Sequence, residues 1–242
     1  MAKVALITGA TGGIGRATAV KLAANGYHLL LHYYNNHEAA AELQEKLAAK
    51  YGIDVYIHRA DLSHPQGVDC LLQGLVRKPD ILIHNAGLAH VALFTEIRDE
   101  DYQRMIQLHL TSPFKLTQRL LPSMIANQWG RIVYVTSIWG ETGGSCETLY
   151  SMVKGGLNAL TKALAKEVAP SGITVNAVSP GAIDTPMLKG YTPEEKQALT
   201  EEIPAGRLGF PDEVAHAIHF LIQDESSYIT GDILRVNGGW LT

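Results

Sequence analysis

Short, nearly unbroken apolar runs alternate along the chain with longer segments in which apolar residues recur every three or four positions. The runs Val4–Thr8, Tyr27–Tyr33, Ile53–His58, Ile81–His84, Ile132–Thr136, Ile173–Val178 and Ile233–Val236 read as strands. Helical spacing fills Ile14–Ala24, Glu38–Lys50, Asp99–Ala126, Leu149–Val168 and Pro211–Leu221. Asn25-Gly26 stops the first helix, and Pro211 opens the last at its first turn. Pro113 and Pro122 lie inside Asp99–Ala126 and predict a kink or an early end there. Strands apolar at nearly every position are buried on both faces, so this alternation predicts a parallel sheet covered by helices on each side. There is no linker, repeat or low-complexity tract. The expected α/β unit therefore uses the whole chain, residues 1–242, as one doubly wound domain.

Composition removes several classes of function. The chain has 242 residues, 46% hydrophobic and 18% charged, with a formal net charge of −4. Disorder needs low hydrophobicity with high net charge, and neither holds. Mild acidity offers nucleic acid no basic stripe. No apolar run reaches the ~18 residues of a membrane span, and the run at Val4–Thr8 is too short for a signal peptide. The two cysteines, Cys70 and Cys146, form no disulfide framework, so a reducing, cytoplasmic setting is expected. No metal ion is called for.

The first strand runs directly into Thr8-Gly9-Ala10-Thr11-Gly12-Gly13-Ile14-Gly15-Arg16, and a helix opens there. Glycines permit a tight turn and let backbone N–H groups approach a pyrophosphate, while the helix N-terminus adds partial positive charge. An ordinary turn of small residues has the same composition. The position after the first strand of an alternating chain favours phosphate binding.

The spacing TGxxxGIG resembles that of the short-chain dehydrogenase/reductase family, and the resemblance runs through nearly the whole chain. Asp61 follows the third strand, with Leu62 beside it, where the family contacts the adenine. Asn85-Ala86-Gly87 follows the fourth strand and matches NNAG, except that His84 replaces the first Asn. Ser137 ends the fifth strand, and Tyr150 and Lys154 form YxxxK. Pro180-Gly181, with Ile183 and Thr185, matches the element beside the nicotinamide. The resemblance implies a single-domain Rossmann fold that reduces a ketone to an alcohol. It also implies a dinucleotide held by Thr8, Gly9, Thr11, Gly13, Ile14 and Gly15, and a homotetramer built on the stretches 99–126, 149–168 and 233–236.

Tyr150 and Lys154 are four apart on one helix and share a face. A phenol of pKa ~10 is a poor proton donor or acceptor at neutral pH, and a neighbouring ammonium is expected to lower it. Tyr150 would then protonate a carbonyl oxygen that Ser137 also hydrogen-bonds. In the family the Lys also binds the nicotinamide ribose. His109 stands where the family has a catalytic Asn. A neutral imidazole, with one donor and one acceptor, suits the same water-holding task.

NAD-using relatives of this fold carry an acid about 20 residues past the glycines. From Arg16 to His37 there is none. The stretch His32-Tyr33-Tyr34-Asn35-Asn36-His37 leaves room for a 2′-phosphate and offers it donors, with Tyr33, Asn35 and Asn36 as the expected contacts, so NADPH is favoured.

Two substrates are suggested by resemblance. The segments Glu201–Gly209 and Tyr228–Gly239 look like the 3-oxoacyl-(acyl carrier protein) reductase group. That group meets an acidic carrier protein with basic residues, whereas Gln128 and Ser171 stand at the two expected positions, leaving Arg131 and Lys162 nearby. The stretch Ser137–Lys154, together with His109–Pro113, looks like reductases of the 5-aminopentanone group on a modified lysine of elongation factor P. Glu141 and Glu147 would pair with the ammonium of that substrate, and Trp139 would offer a cation–π face. The segment 187–210 is expected to be a substrate lid hinged at Pro186, Gly190 and Gly209. Thr192-Pro193-Glu194-Glu195 within it reads as a helix start.

Overall fold

The computed structural model describes residues 2–188 and 190–242. Seven strands form one parallel sheet: β1 (Val4–Ile7), β2 (His28–Tyr33), β3 (Val55–Arg59), β4 (Ile81–His84), β5 (Gly130–Val135), β6 (Ile173–Pro180) and β7 (Ile233–Val236). Their order is β3-β2-β1-β4-β5-β6-β7. The helices are α1 (Gly13–Ala24), α2 (His37–Tyr51), α3 (Gly67–Gly74), α4 (Asp99–Ile106), α5 (Ser112–Ala126), α6 (Trp139–Thr142), α7 (Thr148–Val168), α8 (Pro193–Glu202) and α9 (Pro211–Ile222). Among the described residues no helix is long and apolar enough to cross a membrane.

Strand residues alternate between two cores. Ala5, Ile7, Leu29 and Leu31 face one cluster with Leu22, Leu43 and Ile218 of α1, α2 and α9. Val4, Leu6, Leu30 and Leu82 face the other, with Leu71, Leu116 and Leu157 of α3, α5 and α7. Burial on both faces is why these strands carry apolar residues at consecutive positions. The large apolar side chains left exposed include Tyr102, Phe114 and Met152, which lie on α4, α5 and α7. Those helices lie within the stretches where subunit contacts are expected.

The expected break in the long helix takes another form. Helical backbone continues from Asp99 through Ala126, past both prolines. Between α4 and α5, however, Gln107–Thr111 widens into a π turn, with the Ser112 N–H donating to the Gln107 carbonyl. Pro113 has no N–H, and its ring crowds the carbonyl four residues back, at His109. The wider turn absorbs that conflict, as such bulges often do at functional sites. Two helices have no counterpart in the sequence reading: the eight-residue α3 and the four-residue α6.

The strand order reverses between β1 and β4, and in such sheets ligands bind at the carboxyl ends of the strands beside that switch. Thr8, Tyr33, Asp61, Asn85, Ser137 and Gly181 all follow or end strands at this one edge.

Candidate active site

The glycine turn is clamped from two sides. Thr8 Oγ1 accepts the Asn85 and Ala86 N–H groups, each at 3.0 Å. Asn85 Nδ2 donates to the carbonyls of Thr8 and Gly9, also at 3.0 Å. From the β2 side, the Gly9 N–H donates to His32 Nδ1 at 3.1 Å. Gly9 has φ +67°, a left-handed conformation that favours glycine. A Cβ at Gly15 would overlap the Gly9 carbonyl oxygen and lie 2.7 Å from Asn85 Nδ2. Gly15→Ala is therefore expected to cost about 2–3 kcal/mol as overpacking. That corresponds to a fall in Tm of about 5–10 °C, to be read by a circular dichroism melt. An unchanged Tm would mean that the turn is not closely packed.

This cradle fits a dinucleotide. The N-cap of α1 is Gly12, with no side-chain cap, and the first turn of α1 contains no acid. Its orphan N–H groups and the helix dipole are left for an anion. A Cβ at Gly13 would meet Thr185 Cγ2 at 2.7 Å, so the element after β6 closes directly over the turn. Ile183 is buried and bridges to Gly209.

On the adenine side, burial works to raise the Asp61 carboxyl. Hydrogen bonds from the Ser63 hydroxyl (2.6 Å) and amide (2.9 Å), and from Tyr34, outweigh it and hold the pKa below its ordinary value. Leu62 is buried, and its carbonyl accepts from Ser112 Oγ at 2.6 Å. Two assignments from sequence change here. Tyr33 is buried, and its hydroxyl is engaged with His37 Nδ1 at 2.6 Å. Tyr34, of the same stretch, is the exposed aromatic beside Asp61. Asn36 is the N-cap of α2, its Oδ1 accepting the Ala39 N–H at 3.0 Å, and Asn35, Asn36 and His37 are all exposed.

Four groups meet at the reacting end. Ser137 Oγ accepts the Trp139 N–H at 3.2 Å, which leaves its own hydrogen free to donate. Lys154 is buried on α7, and its Nζ donates to the Val135 carbonyl at 2.8 Å. Burial pushes its pKa down to about 7. Tyr150 departs from expectation. Its phenol is pushed up to about 12, by burial first and by the nearby Glu147 second, with Ser137 offsetting only part. The Lys154 ammonium sits 5.4 Å from the ring centroid, and desolvation disfavours its own charge. In the free protein Tyr150 is thus a neutral phenol, a proton donor.

His109 lies in the π turn and packs edge-on to Tyr150, with centroids 5.8 Å apart. The Asn85-Ala86-Gly87 loop lies against it: a Cβ at Gly87 would meet its Cε1 at 2.7 Å. Nε2 faces Leu88, 3.2 Å from its N–H nitrogen and 3.0 Å from its carbonyl oxygen, and Nδ1 is buried without a partner among the described residues. Burial, then Lys154, holds the pKa well below 6.5, so the ring is neutral. A buried, unpaired Nδ1 fits the water-holding task expected of this position.

The substrate-side acids separate. Glu141 is committed: Oε2 accepts from Arg235 Nη2 at 2.8 Å and Nε at 3.0 Å, and Oε1 accepts from Ser179 Oγ at 2.8 Å. With both oxygens engaged inside the protein, Glu141 is not the partner expected for a substrate ammonium. Glu147 has no salt-bridge partner among the described residues. Burial raises its pKa, and a hydrogen bond from Trp139 partly opposes this. Trp139 makes a T-shaped contact with Trp240 at 5.4 Å, a partner just over a hundred residues away that no local pattern announces.

The basic residues weighed for carrier-protein contact also move. Gln128 and Ser171 precede β5 and β6, at the opposite edge of the sheet from Ser137. Arg131 is only 2% exposed, bonded to Asp224 and stacked on Trp129, so it presents no charge to a partner. Lys162 is exposed. In the segment 187–210, the helix start appears as a full capping box between Thr192 and Glu195.

A doubly wound sheet with a glycine cradle at its switch point, and Ser, Tyr and Lys converging beside it, defines a dinucleotide-dependent oxidoreductase. The chain matches the family model described as enoyl-(acyl carrier protein) reductase over residues 9–241. It belongs to the short-chain dehydrogenase/reductase family, whose members are NAD(P)-dependent oxidoreductases acting on carbonyl and alcohol groups. It is 54% identical over 240 residues to the uncharacterized oxidoreductase YmfI of Bacillus subtilis, covering 99% of both chains. It is 41% identical over 240 residues to 3-oxoacyl-[acyl-carrier-protein] reductase FabG of Aquifex aeolicus, covering 98% of this chain and 96% of that one. Among solved structures it superposes on YwfH, an NADPH-dependent reductase involved in bacilysin biosynthesis. The TM-score there is 0.93 at 25% identity, covering 100% of this chain and 99% of the other.

Proposed function

We propose that this chain is an NADPH-dependent reductase that converts the 5-aminopentanone group on a modified lysine of elongation factor P to the corresponding alcohol. NADPH, when bound, supplies the hydride to the carbonyl carbon. The chain's own residues handle the oxygen. Ser137 donates a hydrogen bond to it, and Tyr150 gives it the phenolic proton. Lys154, next to Tyr150 on α7, supports the phenolate that remains, and His109 Nδ1 holds a water behind it. The segment 187–210 covers the substrate. The lack of an acid after β2, with exposed Asn35 and His37 in its place, supports the 2′-phosphate form of the dinucleotide.

The observation that carries the choice of substrate is Glu147. It is a half-buried carboxylate with no salt-bridge partner among the described residues, next to Trp139 and three residues before Tyr150 in the first turn of α7. An ammonium there would satisfy the carboxylate and meet an aromatic face. The family relatives favour a second reading, 3-oxoacyl-(acyl carrier protein) reduction, against which the burial of Arg131 counts.

The test incubates elongation factor P carrying the ketone with the protein and NADPH, then reads the modified peptide by mass spectrometry. A gain of two hydrogens is expected. Glu147→Gln should raise KM for the cationic ketone about tenfold, the loss of one charge-assisted hydrogen bond. It should leave KM for a neutral ketone nearly unchanged. No mass gain, alongside rapid reduction of an acetoacetyl thioester, would establish the carrier-protein reading instead.

A further inference from the structure

His32 is buried at 2% exposure near the end of β2, and every hydrogen-bonding group it turns toward the site is used. Its backbone carbonyl accepts the Ala10 N–H at 2.9 Å. Its Nδ1 accepts the Gly9 N–H at 3.1 Å. Nε2 lies 3.1 Å from the Ala60 carbonyl, immediately before Asp61. An amide N–H can only donate, so Nδ1 must be the bare nitrogen and Nε2 must carry the proton. The imidazole therefore has one tautomer, and it ties two loops that no backbone bond joins directly. One is the glycine turn after β1. The other is the Ala60–Asp61 turn after β3.

We infer that His32 is a positioning residue for the dinucleotide: its imidazole sets the glycine turn and the adenine-side turn at one fixed separation, so that the adenosine half meets both as a single preformed surface. The inference rests on the dinucleotide reading of the cradle and adds a residue outside the glycine pattern. In sequence His32 reads only as part of the stretch expected to face the 2′-phosphate, and its bonds to Gly9 and Ala60 do not show there. The same two turns could be held by a longer backbone ladder, but β1 and β3 are not neighbours, since β2 lies between them. The β2 backbone holds each turn by one bond, the His32 carbonyl accepting the Ala10 N–H at 2.9 Å and the Tyr33 carbonyl the Ala60 N–H at 3.1 Å, and the His32 imidazole is the single group that bonds both. Preformed loops also avoid the ordering cost of binding, which is how such a residue would act on affinity.

Three variants test it on the full-length protein, with binding of NADPH and of 2′,5′-ADP measured by calorimetry. His32→Leu removes both bonds and should weaken each ligand by about tenfold or more. Asn places an amide oxygen near the position of Nδ1, so His32→Asn should keep the Gly9 bond and fall between wild type and His32→Leu. His32→Gln reaches towards Ala60 and should release Gly9. In each variant KM for NADPH should rise while kcat and KM for the ketone stay within about twofold, a split that general destabilisation would not produce. Wild-type binding by His32→Leu would overturn the inference. So would loss of folding in all three variants by circular dichroism, because His32 would then be a core strut. Failure of the wild type itself to bind NADPH would refute the cofactor reading rather than the role of His32.

Discussion

Tyr150→Phe is expected to lower kcat for ketone reduction by about 10²–10⁴-fold, the range for losing a positioned proton donor. NADPH binding should be unchanged within about twofold. The ring is what packs edge-on to His109 and fills the first turn of α7, and Phe keeps that ring. What Phe removes is a hydroxyl whose proton the buried site holds tightly, with a pKa pushed up to about 12. In the reduction direction such a phenol begins in the correct state. The developing alkoxide is a far stronger base than phenolate and takes the proton as it forms. Without the hydroxyl, Ser137 can still donate a hydrogen bond but cannot readily leave its proton behind. Steady-state rates with a small ketone, together with a fluorescence titration of NADPH, check both halves. If turnover stays above a tenth of wild type, the proton comes from elsewhere and the roles of Ser137, Tyr150 and Lys154 must be redrawn.

Some of this site was open to inspection in the amino-acid order, and some was not, for a physical reason. The strands could be read because each is buried on both faces, so that Leu29-Leu30-Leu31 or Ile81-Leu82-Ile83 shows itself without any partner. Tyr150 and Lys154 could be read because their pairing is local, one helical turn apart. Glu141 could not. Its partner Arg235 is 94 positions away, and a carboxylate in a single-turn helix such as α6 looks the same in sequence whether it is free or paired. The same holds for Trp139 against Trp240, and for His32 between Gly9 and Ala60. The spacing of Tyr150 and Lys154 points the wrong way for the Tyr150 shift, for a related reason. Proximity to Lys154 is visible in the spacing, but the burial of both groups is a property of the assembled core, and burial penalises both charges together. The π turn that delivers His109 is a compromise between Pro113 and the helix before it. Spacing rules for a regular helix predict a break there, and not a widening.

Acid should unfold this protein through its histidines before its carboxylates. His32 and His84 are both buried, and burial lowers their pKa values to about 4 and about 3. His84 stacks on Tyr134 at 4.7 Å and hydrogen-bonds Thr117 at 2.8 Å, and burial is what lowers its pKa. Burial lowers His58, His109 and His219 as well. A group whose folded pKa lies below its unfolded value of ~6.5 favours the folded state fully only above ~6.5. That contribution is lost as pH falls from ~6.5 towards the folded pKa, because the unfolded chain takes up protons that the core refuses. At pH 5 the loss is about 2 kcal/mol for each of His32 and His84. Together that is a large part of the ~5–15 kcal/mol that holds a typical domain. Exposed carboxylates with lowered values, such as Glu213 paired with Arg207, enter only below their unfolded pKa of ~4.3 and so act in a lower window. Urea unfolding followed at pH 7, 6 and 5 should therefore show a midpoint that falls steeply below pH 6.5. His84→Gln, whose amide can still reach Thr117 but takes up no proton, should flatten that fall by up to half. A midpoint that holds constant from pH 7 to pH 5 would mean that these rings find a proton-accepting partner in the folded core, and the neutral state assigned to His32, His84 and His109 would have to be abandoned with it.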